Sequence, residues 1–118
     1  MTLVDTSVWV EHLRARNEHL ARLLDERLVV MHPFVLGELL LGGLASTTQT
    51  EMQLLPRAEI ATPEEVEKMI AMWRLARRGL GYVDAHLAAS AMISRTTVLT
   101  RDRRLQAVVG EMGVSFRP

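Results

Sequence analysis

The chemistry in this chain is carried by carboxylates. It holds four aspartates, Asp5, Asp25, Asp84 and Asp102, and no cysteine. Asp5 ends the apolar pair Leu3-Val4 and is followed by two hydroxyls, Thr6 and Ser7. Asp102 follows Val98-Leu99 after Thr100 and Arg101. Both apolar runs read as strands. A carboxylate at the carboxyl end of a strand in an open α/β sheet faces the crevice where such sheets bind ligands. For Asp5 a second reading is open, in which Thr6 or Ser7 caps the next helix and Asp5 supports the cap. Asp84, which opens an alanine-rich helix, reads either as a simple cap or as a site residue. Asp25 lies beside Glu26 and Arg27 and reads as solvated.

Glu38 is the sharpest anomaly. It is the only charge in Phe34-Val35-Leu36-Gly37-Glu38-Leu39-Leu40-Leu41. Burying an unpaired carboxylate is costly, so it should find a partner or face a cleft. Gly37 beside it leaves room for a backbone or a ligand to approach. Several carboxylates gathered at one strand end would repel each other, and hard divalent cations stabilise such oxygen-rich clusters. Magnesium or manganese suits them; zinc would prefer histidine or cysteine. His86 lies about 200° round a helix from Asp84 and reads as surface or packing.

The elements that must position these groups follow from the apolar pattern. Leu3-Val4 has no polar partner between its members, as in a buried strand of a parallel sheet. Helical pieces follow over 7–14 and 17–27, with Leu20, Leu23, Leu24 and Leu28 as a stripe. Residues 28–31 read as a strand broken by His32-Pro33, and Phe34 to Leu41 as a helix ended by Gly42-Gly43. A short helix over 46–55 and a brief strand over 58–61 are expected. Thr62-Pro63-Glu64-Glu65 is a helix start, with a cap, a proline and first-turn acids. Val66, Met69, Ile70, Trp73 and Ala76 carry that helix to Arg78, before Gly79. A helix over 84–94, a strand over 97–100, a helix over 105–112 and a last strand over 114–116 complete the chain. Strands alternating with helices imply an α/β fold, a central parallel sheet flanked by helices with right-handed crossovers.

The 118 residues suit one domain spanning 1–118. Formal net charge is +0, so no basic field announces a nucleic-acid binder. Lys68 is the only lysine among the basic residues. The absence of cysteine excludes disulfides, thiolate metal sites and a cysteine nucleophile, and it fits a cytoplasmic setting. No signal peptide is expected, and no run approaches the roughly 18 apolar residues of a membrane span.

With these positions in hand, the chain resembles the PIN domain family over its whole length, and within it the VapC toxins of bacterial toxin–antitoxin pairs. The matching segments are Leu3-Val4-Asp5-Thr6-Ser7, Glu38 in its apolar helix, Val83 to Ala91, and Leu99-Thr100-Arg101-Asp102. The resemblance implies a PIN-like three-layer fold and makes Asp5, Glu38, Asp84 and Asp102 the acidic cluster. Asp5 and Asp84 become inner ligands of Mg2+ or Mn2+, Asp102 completes the set, and Glu38 binds metal or positions water. Thr6 or Ser7, with Thr100, become hydroxyls that orient acids, water or phosphate. The implied activity is a metal-dependent endoribonuclease in which a metal-activated water attacks an RNA phosphodiester. Arg101, Arg103 and Arg104 lie beside Asp102 and are candidates for RNA phosphates. The implied partners are a VapB-type antitoxin over the site and a second copy of the chain. DNA would be reached only through the antitoxin, since no DNA-binding module is present.

Other readings fare worse. A receiver domain would need a lysine after a late strand, and Lys68 lies within a helix pattern. A dehalogenase-like phosphatase would need an aspartate where Ser7 stands. No two histidines share the site segments. The alternative from another class is a catalytically silent PIN-like module that binds RNA or protein.

Overall fold

The computed structural model describes residues 1–118. Its elements alternate as expected. They are β1 (Thr2–Val4), α1 (Thr6–Ala15), α2 (Glu18–Asp25), β2 (Val29–Val30), α3 (Pro33–Gly42), α4 (Ser46–Gln53), α5 (Pro63–Met72), α6 (Tyr82–Ser94), β3 (Thr97–Leu99) and α7 (Arg103–Glu111). The strands form a parallel sheet in the order β2-β1-β3. Thr2 pairs with Val29 on one side and Thr97 on the other. β1 is therefore the central strand, and Leu3 and Val4 are 0% and 1% exposed. That double burial is why no polar residue interrupts them.

Single parallel bridges extend the sheet at both edges, Met31 to Arg57 and Val98 to Ser115. The chain thus steps outward from β1 to β2 to Arg57, then returns past β1 to β3 and Ser115. Right-handed crossovers in opposite directions put helices on both faces. Two apolar clusters match this. One gathers side chains of α1 to α4 with β1 and β2, the other side chains of α5 to α7 with β3. The direction of travel reverses between β1 and β3, the position where open α/β sheets place their ligands.

Several boundaries differ from expectation. The strand expected over 58–61 is only the bridge at Arg57, and the one over 114–116 only the bridge at Ser115. The helix expected to reach Arg78 stops at Met72. Arg74 takes a left-handed φ of 52° and turns the chain. Leu75 then donates its N–H to the Ile70 carbonyl and buries its side chain to 5% exposure. The start of that helix is as expected: Thr62 and Glu65 form a reciprocal capping box behind Pro63. No helix is long and apolar enough to cross a membrane.

Candidate active site

Three of the four acids sit at helix N-termini. Asp5 caps α1, its Oδ1 accepting the Thr6 N–H at 2.8 Å. Asp102 caps α7, its Oδ1 accepting the N–H groups of Arg104 at 2.8 Å and Leu105 at 3.2 Å. Asp84 lies in the first turn of α6, where its Oδ2 accepts the Gly81 N–H at 3.1 Å. The positive end of a helix dipole favours an anion. Three such ends oppose the repulsion that these carboxylates exert on each other.

The hydroxyls fix the acids. Asp5 Oδ2 accepts from Ser7 Oγ at 2.9 Å and from Thr100 Oγ1 at 2.7 Å. The Thr100 oxygen in turn accepts the Asp102 N–H at 3.0 Å. Thr6 Oγ1 donates to Glu38 Oε1 at 2.7 Å. Glu38 is on the exposed side of α3, and its one side-chain bond is to the residue after Asp5. The room at Gly37 is used by no protein atom: a Cβ there would meet nothing within 4 Å.

Asp84 has its pKa raised, first by burial and then by the charges of Asp5, Asp102 and Glu38, against a lowering by the Gly81 N–H. The four acids of the sequence reading are therefore brought into one electrostatic cluster at the carboxyl ends of β1 and β3. No three His, Cys, Asp or Glu side chains stand ready to close round one ion. A zinc cage would require that. A hydrated magnesium ion keeps several waters and takes one or two carboxylates directly. Asp84 Oδ1, Asp102 Oδ2 and Glu38 Oε2 accept no hydrogen bond from the protein and remain available. The donor set is all oxygen and negative, which fits magnesium or manganese.

The arginines beside Asp102 are not equivalent. Arg101 pairs with Glu11 of α1, and its backbone N–H reaches Ser7 Oγ at 3.2 Å. Arg104 lies across Gly79, its Nη1 3.4 Å from the Gly79 carbonyl oxygen. Arg103 is exposed and has no such tie. The role of Glu11 escaped the sequence reading. Its spacing of four from Ser7, one helical turn, was the available signal.

Beside the acids runs an edge-to-face aromatic series. Tyr82 meets His86 at 4.7 Å between ring centroids, His86 meets Phe34 at 4.8 Å, and Phe34 meets His32 at 4.9 Å. His86 packs in the core at 3% exposure, because α6 is buried around most of its circumference. His32 is 0% exposed and caps α3 through Nδ1, which accepts the Phe34 N–H at 3.0 Å. Burial, then the proximity of His86, lowers its pKa from 6.5 to about 4.

Comparison with known proteins agrees with this architecture. The family model described as PIN domain matches residues 2–111. The chain is 42% identical over 120 residues to Ribonuclease VapC32 of Mycobacterium tuberculosis, in two strains, covering 98% of this chain and 96% of the relative. The crystal structure of PAE2754 from Pyrobaculum aerophilum superposes with a TM-score of 0.57 at 20% identity, covering 91% of this chain and 78% of that one. The last likeness concerns the fold.

Proposed function

Because the chain belongs to the PIN domain family, and within it to the VapC group, we propose that it is an endoribonuclease that hydrolyses RNA phosphodiesters with the help of Mg2+ or Mn2+. What supports the reading is that the charges of Asp5, Asp102 and Glu38 all act on Asp84, beside the carboxyl ends of β1 and β3. Asp5 and Asp84 would hold the cation directly and Asp102 would complete the set through water, with Glu38 binding the cation or orienting water. When bound, the cation supplies charge neutralisation at phosphorus and a more acidic water.

The chain's own residues do the rest. Ser7 and Thr100 lock the Asp5 carboxylate in one orientation, and Thr6 does so for Glu38. Groups held this way lose little freedom when substrate arrives. Glu38, with one oxygen free, is the residue placed to take a proton from an attacking water. Of the flanking arginines, Arg103 is the one with an unengaged fork for a substrate phosphate. The experiment is cleavage of single-stranded RNA by the purified chain with magnesium, with manganese, and in excess chelator. Cleavage that persists in chelator would remove the metal from the mechanism. No cleavage with either metal would favour a binding module.

The VapC resemblance also extends to partners. A VapB-type antitoxin would cover the crevice and insert a basic side chain, since an arginine fork can pair with carboxylates that otherwise hold metal. A stable complex that retains full activity would refute this. Contact with DNA would come through that antitoxin. A homodimer is supported by exposed apolar side chains such as Met72 at 75% and Leu41 at 91%. Sedimentation that finds only monomer at micromolar concentration would count against it. The setting for such a pair is the cytoplasm, and detection of the chain outside it would contradict that placement.

A further inference from the structure

A second cavity, of about 700 Å3, opens at the other end of the sheet. Its walls include Thr2 and Thr97, the first residues of β1 and β3. It is thus separated from the acidic crevice by the length of the strands. Arg22, Arg95 and Arg117 line it, with Glu26 as the one acidic side chain. All three arginines are exposed. The ion pairs of the molecule use Arg16, Arg78 and Arg101, none of them from this cavity. In a chain of zero net charge, three unpaired guanidinium forks around one concavity are a local excess of positive charge. The wall also holds an aromatic ledge. Phe116 is half-buried, and His19 stands edge-on to it with centroids 5.6 Å apart.

We propose that this cavity binds a phosphate ester of nucleotide size, with the phosphate among Arg22, Arg95 and Arg117 and the base against Phe116 and His19. Guanidinium forks match phosphate oxygens in pairs, and they retain their charge at any working pH. The volume falls within the range of pockets that take small ligands. An aromatic ledge accepts the π-face of any base, so little base preference is expected. Glu26 sets a limit: it repels a ligand of high charge density more than one carrying a single phosphate group. The same chemistry belongs to a free mononucleotide and to the phosphorylated end of an RNA strand. None of Asp5, Glu38, Asp84 or Asp102 lines the cavity.

The test is titration of the full chain with AMP in excess chelator, followed by calorimetry and by NMR shifts of the Phe116 and His19 rings. Chelator leaves the acidic crevice as an uncompensated negative cluster, so it does not compete for phosphate. Binding should survive Asp5→Asn. It should weaken at least tenfold in an Arg22→Gln, Arg95→Gln double variant, and less in Arg95→Lys, which keeps charge but loses the fork. Thermal melting checks that each variant is folded, and exposed positions should tolerate the changes. A 5′-phosphorylated dinucleotide that binds as AMP does, while its unphosphorylated form does not, would identify a strand end as an equal source. Inorganic phosphate binding as tightly as AMP would overturn the nucleotide assignment, as would adenosine binding equally. Absence of AMP binding, or binding only of long RNA, would overturn the proposal.

Discussion

Thr100 holds two of the acids with one hydroxyl: Oγ1 donates to Asp5 Oδ2 at 2.7 Å and accepts the Asp102 N–H at 3.0 Å. Thr100 is 6% exposed, so water does not readily replace either bond. Thr100→Val keeps the shape and removes both. The buried Asp5 carboxylate that loses a donor should cost about 1–3 kcal/mol of stability. On the proposed metal-dependent reading, cleavage should fall by about 10–100-fold, since Thr100 would then orient a metal ligand. Thr100→Ser should restore most of both. Urea unfolding and single-turnover RNA cleavage of the pair measure this, and equal behaviour of Val and Ser would deny the hydroxyl its role.

Asp84 carries a cost in the metal-free protein, because burial and three neighbouring charges disfavour its ionised form. A raised folded pKa contributes stability at low pH that is lost as pH rises through the folded value. Asp84→Asn should therefore melt a few degrees higher than wild type at neutral pH in chelator. The asparagine oxygen can still accept the Gly81 N–H. With magnesium present the order should narrow or reverse, since ligand binding stabilises only a chain that can hold the ion. Cleavage should drop by orders of magnitude in Asp84→Asn and in Asp5→Asn. A variant that melts lower in chelator would contradict the repulsion account.

His32 gives an opposite pH dependence. Its folded pKa is lowered to about 4 against 6.5 unfolded, so the folded state resists protonation. Its contribution is fully present above 6.5 and is lost as pH falls toward 4. The full shift corresponds to roughly 3 kcal/mol at most. His86, also lowered by burial, adds in the same direction. His32→Asn keeps a capping acceptor for the Phe34 N–H and removes one titrating group. Stability measured from pH 7 to 4 should fall less steeply in the variant, and parallel curves would show that His32 does not titrate as described.

Gly79 has φ +79°, and a Cβ there would lie 2.9 Å from Arg104 Cδ. Gly79→Ala thus meets a left-handed backbone cost of about 1–2 kcal/mol and must also push Arg104 away. Arg104 belongs to the first turn of the helix capped by Asp102, and Gly79 precedes the turn that starts α6 below Asp84. The substitution should lower stability and activity together. Arg104→Ala in the same background should recover part of the loss; no recovery would mean that the contact is not the cause.

Much of the site was legible because its acids interrupt apolar runs. Asp5 and Asp102 follow strands, and Glu38 stands alone among leucines. The choice between helix cap and site residue was open for Asp5 and Asp84, and the structure shows that caps and clustered acids coincide. In Asp84 and Asp102 one carboxylate oxygen binds a helix-start N–H while the other accepts no hydrogen bond from the protein, so capping never argued against a site. The end of α5 was not legible. No glycine or proline marks it, and Arg74 turns the chain at a residue type that seldom does so. The outer strands shrink to single bridges because pairing at a sheet edge depends on where the neighbour lies, which local pattern does not encode. The tie of Arg101 to Glu11 crosses 90 residues, and the only hint of it in the sequence is the helical-turn spacing of Glu11 from Ser7.

The register of β1 has a consequence for the order of folding. Thr2 pairs with Val29 nearby in sequence and with Thr97 far away. Loop-closure entropy makes the second pairing the slower and later one, since local contacts form before distant ones repay their cost. Until β3 docks, neither Thr100 nor Asp102 stands beside Asp5. A chain with only β1, β2 and α1 to α3 in place should therefore lack cleavage activity. In refolding, cleavage should lag behind the recovery of helical circular dichroism. That interval is a window in which an inhibitory partner could meet the nuclease before it is armed.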